Sequence, residues 1–445
     1  MEKVLIANRG EIALRIVEAC REEGLFSVAV YSEAEREALH VREASEGVCI
    51  GPADPRRSYL SIPALIAACE VTGADALHPG YGFLSENPDL AEICEAHGIT
   101  FIGPSARVLR LCGDKVAAKE AAQAAGLPVL PGSPPLTAEN GAQKWAEELG
   151  YPLLLKAAAG GGGRGIRLVR TPQELKILFP QAKKEAELAF GDGRVYLERY
   201  VPEPRHVEVQ ILADKFGNVV HWGTRDCTVQ RRHQKLVEEA PAPALSPGLR
   251  ERMARAAVRL AEWIGYVGAG TVEFLVNGED FYFIEINARI QVEHPVSEML
   301  VGRNLVREQL RVIQGKPLGY RQEQIELYGH AIECRINAED PDRDFLPSTG
   351  RVWIHSLPGG IGVRVDTHIY QGMPVLPYYD PLLAKVIAHG EDREEARTRL
   401  YSALRRFQIS GVKTNRDFLL SVISHPQFAK AFLAPSLLER LRPGK

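Results

Sequence analysis

Five polar side chains recur at every second position of residues 281–295. On an extended strand they share one face, and the apolar residues between them face a core. One interpretation is an edge strand with a solvated polar face, because such alternation is ordinary for half-buried strands. The other is a chemical site. The five residues are Glu285, Asn287, Arg289, Gln291 and Glu293.

A second alternating run, residues 271–276, lies just upstream, and Asn277-Gly278 after it is a hairpin signal. A loop over residues 278–280 places Glu273 directly opposite Glu285, and other loop lengths leave them near-diagonal neighbours. Like charges opposite each other destabilise a sheet, and a cation between them removes that penalty. The oxygen atoms of these two carboxylates and of the Asn287 carbonyl are hard ligands, which suit Mg²⁺ or Mn²⁺ better than zinc. Mg²⁺ that is held by one or two carboxylates usually accompanies a nucleotide phosphate.

A run of glycines lies between two apolar segments in residues 151–170, and Lys156 stands on the segment that enters it. A capping box with proline at the first helical position follows at 171–174. The glycines therefore join two strands, which excludes a Walker A loop. Consecutive glycines let backbone N–H groups wrap a polyphosphate, with Lys156 as a point charge. A flexible linker is the alternative, although linkers normally separate polar segments.

Composition and charge restrict the class of protein. The chain has 445 residues, which predicts roughly two to four domains. A net charge of −3 argues against nucleic acid as the main partner, so the basic cluster at 225–235 favours an anionic small ligand. Seven cysteines without a Cys-x-x-Cys pair indicate reduced thiols of a cytoplasmic protein. The first residues do not have the form of a signal peptide, and the most apolar charge-free run, residues 58–69, is too short to span a bilayer.

Strands and helices alternate in the first hundred residues, which predicts a doubly wound parallel sheet. The loop at 80–87 follows a strand, where open α/β sheets bind ligands, but a plain connecting loop fits equally well. The composition shifts after Gly113, which predicts a domain boundary there. The predicted strands are 4–7, 27–31, 48–50 and 76–78, and the predicted helices are 10–24, 58–71 and 87–97.

These residues carry a family resemblance. Lys156 with its glycine loop, residues 198–201, and Glu273, Glu285 and Asn287 resemble an ATP-grasp enzyme. Longer motifs make essentially the whole chain similar to biotin carboxylase. These motifs are IANRGEIA at 6–13, HPGYGFLSEN at 78–87, RDCTVQRRHQK at 225–235, RIQVEHP at 289–295 and ECRINAED at 333–340.

The resemblance implies an α/β and α+β protein with three domains. These are an N-terminal domain at 1–113, an ATP-grasp domain at 114–311 with a mobile lid at about 130–203, and a mixed C-terminal domain at 330–445. Within the lid loop, Ala159 replaces a glycine that is usual in the family, which would stiffen one corner. Arg199 and Ala288 also depart from the commonest residues, without changing the expected chemistry.

The resemblance also implies a role for each site residue. Metal ligands would be Glu273, Glu285 and Asn287, with two Mg²⁺ or Mn²⁺ ions. Bicarbonate would be bound by Lys235, Arg289, Gln291 and Val292, with Glu293 as its base. Arg335 would stabilise the biotin oxyanion, unless it is a structural ion pair with Glu333 or Glu339. ATP would contact Lys115, Lys156, Gly162, Gly163, Glu198, Arg199, Tyr200, Val201, His206, Gln230, His233, Glu273, Leu275 and Glu285.

The implied reaction is ATP- and bicarbonate-dependent carboxylation of biotin through carboxyphosphate, as in the first step of acetyl-CoA carboxylase. The alternatives within the carboxylases are a pyruvate carboxylase and another acyl-CoA carboxylase. The more distant alternatives are an ATP-grasp ligase and an ATP sensor, neither of which would use biotin. No methionine adjoins a lysine, so the Met-Lys-Met biotin-attachment pattern is missing. We therefore expect biotin to be attached to a separate biotin carboxyl carrier protein. The resemblance further implies carboxyltransferase subunits and a second copy of the chain as partners.

Glu285 and Glu293 lie eight residues apart, roughly 26 Å on a fully extended strand. They cannot both ligate one metal unless the chain bends sharply between them. We therefore expect the segment from Arg289 onward to turn away from the strand, with Glu293 acting as a base and not as a ligand.

Overall fold

A five-stranded parallel sheet with helices on both faces forms the N-terminal part of the protein. The structure is a computed structural model that describes residues 1–136, 138–158, 166–232 and 234–440. Its first elements are β1 (Lys3–Ile6), α1 (Gly10–Glu22), β2 (Phe26–Ser32), α2 (Leu39–Glu43), β3 (Glu46–Gly51), α3 (Ile62–Thr72), β4 (Ala76–His78), α4 (Pro88–Ala96) and β5 (Thr100–Phe101). The strand order β3-β2-β1-β4-β5 confirms the predicted doubly wound sheet.

Alternating side chains of β1 explain the two helical layers. Val4 and Ile6 pack on the α1 side, whereas Leu5 packs on the side covered by α3 and α4. The helix predicted from residue 58 begins at Ile62 instead, because the Ser61 side chain caps it by accepting a hydrogen bond from the Ala64 N–H.

A separate three-stranded antiparallel sheet, in the order β7-β6-β8, forms the next part of the chain. Its core holds Leu153, Leu155 and Val169 against the flanking helices. The glycine run joins β6 to β7, which confirms a strand-to-strand connection, and residues 159–165 themselves lie outside the described residues. The elements are α5 (Ala106–Gly113), α6 (Lys115–Ala124), α7 (Glu139–Leu149), β6 (Leu153–Ala157), β7 (Ile166–Val169), α8 (Pro172–Phe190) and β8 (Val195–Arg199).

An eight-stranded antiparallel sheet carries most of the predicted site. Its first elements are β9 (Arg205–Ala213), β10 (Val219–Arg231), β11 (Gln234–Ala240), α9 (Pro247–Ile264), β12 (Gly268–Asn277), β13 (Asp280–Asn287), α10 (His294–Val301), α11 (Leu305–Ile313) and β14 (His330–Asn337). Strand β10 is long because its first part pairs with β9, from Val219 to Asp226, and its last part pairs with β11, from Asp226 to Arg231.

The C-terminal part contributes two further strands to the same sheet and covers one of its faces. Its elements are β15 (Glu339–Asp340), β16 (Leu346–Pro347), β17 (Gly350–Arg351), β18 (Trp353–Ser356), β19 (Val363–Thr367), β20 (Pro374–Val375), β21 (Leu382–Gly390), α12 (Arg393–Arg406), β22 (Gln408–Ser410), α13 (Arg416–Ser424), α14 (Pro426–Ala429) and α15 (Leu437–Arg440). The sheet order is β13-β12-β9-β10-β11-β14-β21-β19. This mixed architecture confirms the predicted fold class.

The single extended strand over residues 281–295 is wrong beyond Asn287, where β13 ends. A short irregular segment follows, and α10 begins at His294 with Pro295 in its first turn. The sharp bend expected between Glu285 and Glu293 is therefore confirmed. Within the described ranges, no helix has both the length and the apolar character that a bilayer crossing requires.

Candidate active site

Two glutamates stand directly opposite each other on neighbouring strands. Strands β12 and β13 pair Glu273 with Glu285, as predicted. The connecting turn is shorter than the three-residue loop that would give this pairing, because Asn277 pairs with Asp280. A register shift after Glu273 restores the alignment, and bulges of this kind re-aim side chains beside functional sites.

The two carboxylates have different electrostatic surroundings. Burial and then the charge of Glu273 raise the pKa of Glu285, and Lys115 only partly opposes them. Burial alone would raise the pKa of Glu273, but Lys235 and His206 hold it well below its usual range. His206 Nε2 lies 2.8 Å from Glu273. Glu285 therefore needs a positive charge that its own protein neighbours do not fully supply.

The donor set fits a hard divalent cation at this carboxylate pair. Glu273 and Glu285 offer carboxylate oxygens on one face, as Mg²⁺ and Mn²⁺ prefer. Asn287 is engaged elsewhere, since its Oδ1 accepts a 2.8 Å hydrogen bond from Arg289. Its buried Nδ2 has no partner among the described residues. Because a carbonyl oxygen has two lone pairs, Asn287 could serve as a ligand through the second one or after Arg289 releases it.

Lys235 on β11 occupies the centre of a cluster of three carboxylates. Its Nζ lies 2.7 Å from Glu208, 2.9 Å from Glu273 and 2.7 Å from Glu293. Two groups of potential metal ligands among the described residues surround this ammonium. Both contain Glu208, one with His206 and Glu273 and the other with Cys227 and Glu293. Sequence reasoning missed Glu208, although its alternation with His206 along β9 signals a shared face.

Arg225 is fully buried, and its guanidinium positions residues of this cluster. Sequence reasoning placed Arg225 only in a basic motif for an anionic ligand. In the structure its guanidinium instead holds Gln291 and Glu208 in place. A buried guanidinium without such partners would destabilise the fold. Its guanidinium donates hydrogen bonds of 2.5–3.0 Å to Glu208, Gln210, Ser297, Thr271 and Gln291.

Glu293 bridges two cations. One carboxylate oxygen accepts from Lys235 at 2.7 Å and the other from Arg335 at 2.9 Å. Burial alone would raise the pKa of Glu293, but Lys235 and Arg335 hold it far below its usual range. The predicted alternative, in which Arg335 forms an ion pair with Glu333 or Glu339, is wrong.

The structural partner of Arg335 is Glu238, which accepts a 2.6 Å hydrogen bond from its Nε. Sequence reasoning missed Glu238. It lies on β11, three residues after Lys235, and β11 pairs directly with β14, which carries Arg335.

The loop at 80–87 reaches this site through side-chain contacts. Glu86 lies 3.1 Å from Arg289 and also accepts a hydrogen bond from the Ala288 N–H. Tyr81 donates a hydrogen bond to Glu11. The N-terminal sheet therefore holds the Arg289 segment through the carboxyl end of β4.

The remaining predicted residues lie at the opposite end of the site, around Glu198 on β8. Lys156 pairs with Glu198, and Lys119, which sequence reasoning missed, lies 3.1 Å from the same carboxylate. Burial lowers the pKa of Lys115, although Glu285 opposes this. Glu285, Lys156 and Glu198 are the charged groups that act on Lys115.

Other predicted residues lie along the edges of this region. Arg199 is exposed, Tyr200 half-buried and Val201 buried, directly after Glu198. Leu275 faces His206 across β12 and β9. Gln230 donates to the Cys227 carbonyl at 2.7 Å, and the Val292 carbonyl accepts from Lys385 at 3.0 Å. The predicted Gly162, Gly163 and His233 lie outside the described residues, as does Ala159.

A cavity of about 400 Å³ lies elsewhere, between the N-terminal and C-terminal parts. Arg9, Arg42, Tyr370 and Tyr379 are among its lining residues, and it contains none of the sequence-predicted site residues. Most of its charges already have partners, such as Glu35 for Arg9 and Glu37 for Arg42. We therefore place the candidate active site at the Lys235 cluster.

Family models match nearly the whole chain in three consecutive segments. Residues 1–109 match the N-terminal domain of biotin carboxylase, and residues 333–440 match its C-terminal domain. Residues 114–321 match the ATP-binding domain of the carbamoyl-phosphate synthase L chain.

Relatives of known type are similar over their full length. A biotin carboxylase of Nostoc sp. is 52% identical, covering 99% of both chains. A pyruvate carboxylase subunit of Methanothermobacter thermautotrophicus is 48% identical, covering 99% of this chain and 90% of that one.

A solved structure has nearly the same fold. It is the biotin carboxylase domain dimer of 2-oxoglutarate carboxylase from Hydrogenobacter thermophilus, with MgADP, ADP and bicarbonate. Its TM-score is 0.95 at 47% identity, covering 99% of this chain and 97% of that one. The sequence motifs, the fold and the full-length similarity agree, and the chain belongs to the biotin carboxylase family of ATP-dependent ligases.

Proposed function

We propose that this protein carboxylates biotin on a separate carrier protein, with MgATP and bicarbonate as the other substrates. The observation that carries this proposal is the placement of Glu293 between Lys235 and Arg335. It puts one potential base between two cations, beside a carboxylate pair suited to Mg²⁺. A site for an anion, a nucleotide and a developing oxyanion needs these groups together.

The nucleotide end of the site would hold ATP. Lys115 and Lys156 are point charges for its phosphates, and residues 198–201 offer backbone groups to the adenine edge. Glu273 and Glu285 would hold Mg²⁺, with Asn287 once Arg289 turns away. Bound there, Mg²⁺ neutralises charge on the transferring phosphoryl group. Gly162, Gly163, Gln230 and His233 complete the proposed ATP contacts, with Leu275, His206 and Arg199.

Bicarbonate would lie between Arg289 and Lys235, with Gln291 and Val292 as further contacts. A guanidinium fork suits this planar anion. A bicarbonate oxygen attacks the γ-phosphorus, the bond to ADP breaks, and Glu293 takes the bicarbonate proton. Carboxyphosphate then divides into CO₂ and phosphate. The phosphate takes the ureido proton of biotin, and the ureido nitrogen bonds to CO₂ while Arg335 stabilises the oxyanion.

Glu293 is a weak base in the arrangement described, because Lys235 and Arg335 both stabilise its charged form. A bicarbonate that accepts hydrogen bonds from Lys235 weakens one of these contacts. Biotin that accepts a hydrogen bond from Arg335 weakens the other. The carboxylate thus becomes more basic with each substrate that binds and is most basic when both are in place, which limits wasteful ATP cleavage.

The downstream acceptor defines the larger enzyme. We propose that the chain serves acetyl-CoA carboxylase, with a biotin carboxyl carrier protein and carboxyltransferase subunits, as a cytoplasmic homodimer. The Nostoc relative, a biotin carboxylase, supports the biotin half-reaction, and the dimer of the Hydrogenobacter domain supports self-association. A pyruvate carboxylase is the second candidate, favoured by the Methanothermobacter relative. All seven cysteines are free thiols, which suits a reducing compartment.

We also propose three domains, at 1–113, 114–311 with a lid at about 130–203, and 330–445. The family matches at 1–109, 114–321 and 333–440 support this division. The separate sheet and core of β6 to β8 support a lid that moves as one unit. Strand β14 nevertheless pairs with β11, so the second and third domains share one sheet.

Biotin-stimulated ATP cleavage tests the proposed activity. We expect phosphate release to require bicarbonate and to rise with free biotin in the purified protein. ATP cleavage that free biotin does not change would favour another ATP-grasp ligase, and binding without cleavage would favour a sensor. Identification of the biotinylated protein that co-purifies with the chain distinguishes acetyl-CoA carboxylase from pyruvate carboxylase. Mass spectrometry should find no biotinylated lysine in this chain.

A further inference from the structure

A second carboxyl group lies directly opposite Glu238, on strand β14, which is on the far side of β11 from the Glu273–Glu285 pair. Strands β11 and β14 pair Glu238 with Glu333 in register, so their side chains project from the same face of the sheet. Both side chains are fully buried. Residues paired in this way have Cβ atoms roughly 5 Å apart, within reach of one hydrogen bond between carboxyl groups.

Glu333 has no donor among the described residues. Neither of its carboxyl oxygens makes a hydrogen bond, and neither does Oε2 of Glu238. The apolar side chains of Val296, Leu300 and Ile387 form the cluster that covers this part of the sheet. An ionised carboxylate without donors in such surroundings is strongly disfavoured.

The charged groups around Glu333 are committed to other partners. Lys385 on β21 donates to the Val292 carbonyl and lies 3.1 Å from Glu11. Arg335 contacts Glu238 and Glu293. On α10, His294 contacts the Gln291 carbonyl, and Glu298 contacts Arg15 and Arg364. Helices α12 and α13 pack on the opposite face of β14, with Ile332 and Cys334.

We propose that Glu333 carries a proton and donates it to Oε2 of Glu238, so that the carboxyl pair holds one negative charge opposite Arg335. Glu333 is then a positioning residue. It fixes Glu238, and Glu238 in turn orients the guanidinium that also contacts Glu293. A second negative charge here would draw Arg335 away from Glu293 and from the substrate.

The electrostatics agree with this geometry. Burial and the charge of Glu238 hold the pKa of Glu333 well above its usual range, against the opposing effect of Lys385. Burial raises the pKa of Glu238 to about 7, with Arg335 opposing it and Glu293 adding to it. A hydrogen bond donated by Glu333 stabilises the ionised form of Glu238, which Arg335 needs as its partner.

Infrared spectroscopy tests the proton directly. We expect a difference spectrum between the parent and Glu333→Gln at neutral pH to show loss of the carbonyl stretch of a protonated carboxylic acid. Loss of a carboxylate band instead would overturn the proposal. This readout does not depend on the proposed function, whereas the activity readout below rests on it. A parent without biotin-stimulated ATP cleavage would count against the function alone.

The pH profile of biotin-dependent kcat/KM tests the positioning role. Glutamine keeps a donor for Glu238, so Glu333→Gln should stay within about threefold of the parent with an unchanged acidic limb. Glu333→Leu removes the donor, and its acidic limb should move up by about one pH unit, a tenfold loss at a fixed acidic pH. Equal shifts in both variants, or none in either, would refute the role.

A matched control separates this role from the general cost of altering a buried carboxyl. Burial also raises the pKa of Glu308, which lies on α11 away from Arg335. Glu308→Gln should leave the acidic limb unchanged. A shift equal to that of Glu333→Leu would show that the limb reports stability and would overturn the assignment.

Discussion

Replacing Glu293 with glutamine should separate base catalysis from metal binding. Glutamine keeps the shape of the side chain but cannot accept a proton. A positioned general base typically contributes about 10²–10⁴ in rate. We therefore expect Glu293→Gln to lose biotin-dependent turnover by on the order of 10² or more, and to bind MgATP within about threefold of the parent.

The contacts indicate that the fold survives this change. Without the Glu293 charge, Lys235 still contacts Glu208 at 2.7 Å and Glu273 at 2.9 Å. Arg335 still contacts Glu238 at 2.6 Å. Neither cation is left alone, so the loss of stability should be about 1–3 kcal/mol, below the roughly 3–5 kcal/mol expected when a buried ion is left unpaired.

Glu285→Gln is the matched comparison, because it removes a carboxylate from the proposed metal site and leaves Glu293 intact. Its turnover should fall at every bicarbonate concentration, and added Mn²⁺ should partly restore it. The assay titrates each variant with Mg²⁺ and Mn²⁺ while following biotin-dependent phosphate release. If Mn²⁺ rescues Glu293→Gln and not Glu285→Gln, the two roles are assigned the wrong way round.

Three other perturbations probe separate parts of the molecule. Arg335→Met should reduce biotin-dependent turnover by roughly 10²–10³ and leave MgATP affinity unchanged, and a parallel loss of MgATP affinity would contradict an oxyanion role. Burial alone would raise the pKa of Glu298, but His294, Arg15 and Arg364 lower it to about 2. Its ionised form therefore stabilises the fold above about pH 4.5 by on the order of 3 kcal/mol, which is lost as the pH falls through about 2. Urea unfolding at about pH 5 and pH 3 should show a smaller difference for Glu298→Gln than for the parent, and an equal difference would refute this linkage. MgATP should protect residues 160–165 from proteolysis, whereas equal cleavage rates would remove the support for a closing lid.

Local patterns predicted where site residues stand along each strand, but not which distant groups they meet. Period-two alternation placed Glu273 and Glu285 on one face, and Asn277-Gly278 predicted their hairpin. The bulge that completes their pairing has no local signature, because the ladder with β9 also constrains β12. The extended strand was carried too far because alternation continues through the irregular segment before α10.

The missed residues share one physical feature, which is that each contributes through a long-range contact. Glu208 reaches Lys235 from another strand, Glu86 reaches Arg289 from the N-terminal sheet, and Glu238 meets Arg335 only because β11 pairs with β14. A single sequence shows that these glutamates exist, but the order of strands in the sheet decides their partners. The family resemblance supplied most of the proposed functional residues without supplying these supporting charges.

These supporting charges explain why the site needs bound ligands before its net charge is balanced. Three cations at the centre of the cluster, Arg225, Lys235 and Arg335, face five carboxylates. Lys115 only partly offsets the charge of Glu285, and His206 adds positive charge only when protonated. The surplus appears at the two ends of the cluster, where burial and neighbouring carboxylates raise the pKa of Glu285 and of Glu238. A divalent cation would meet the surplus at the nucleotide end, and at the Arg335 end the proposed proton keeps Glu333 from adding a further negative charge. Lys235 and Arg335 can then be shared with anionic substrates without leaving the cluster with excess negative charge. The carboxylates concerned are Glu208, Glu238, Glu273, Glu285 and Glu293.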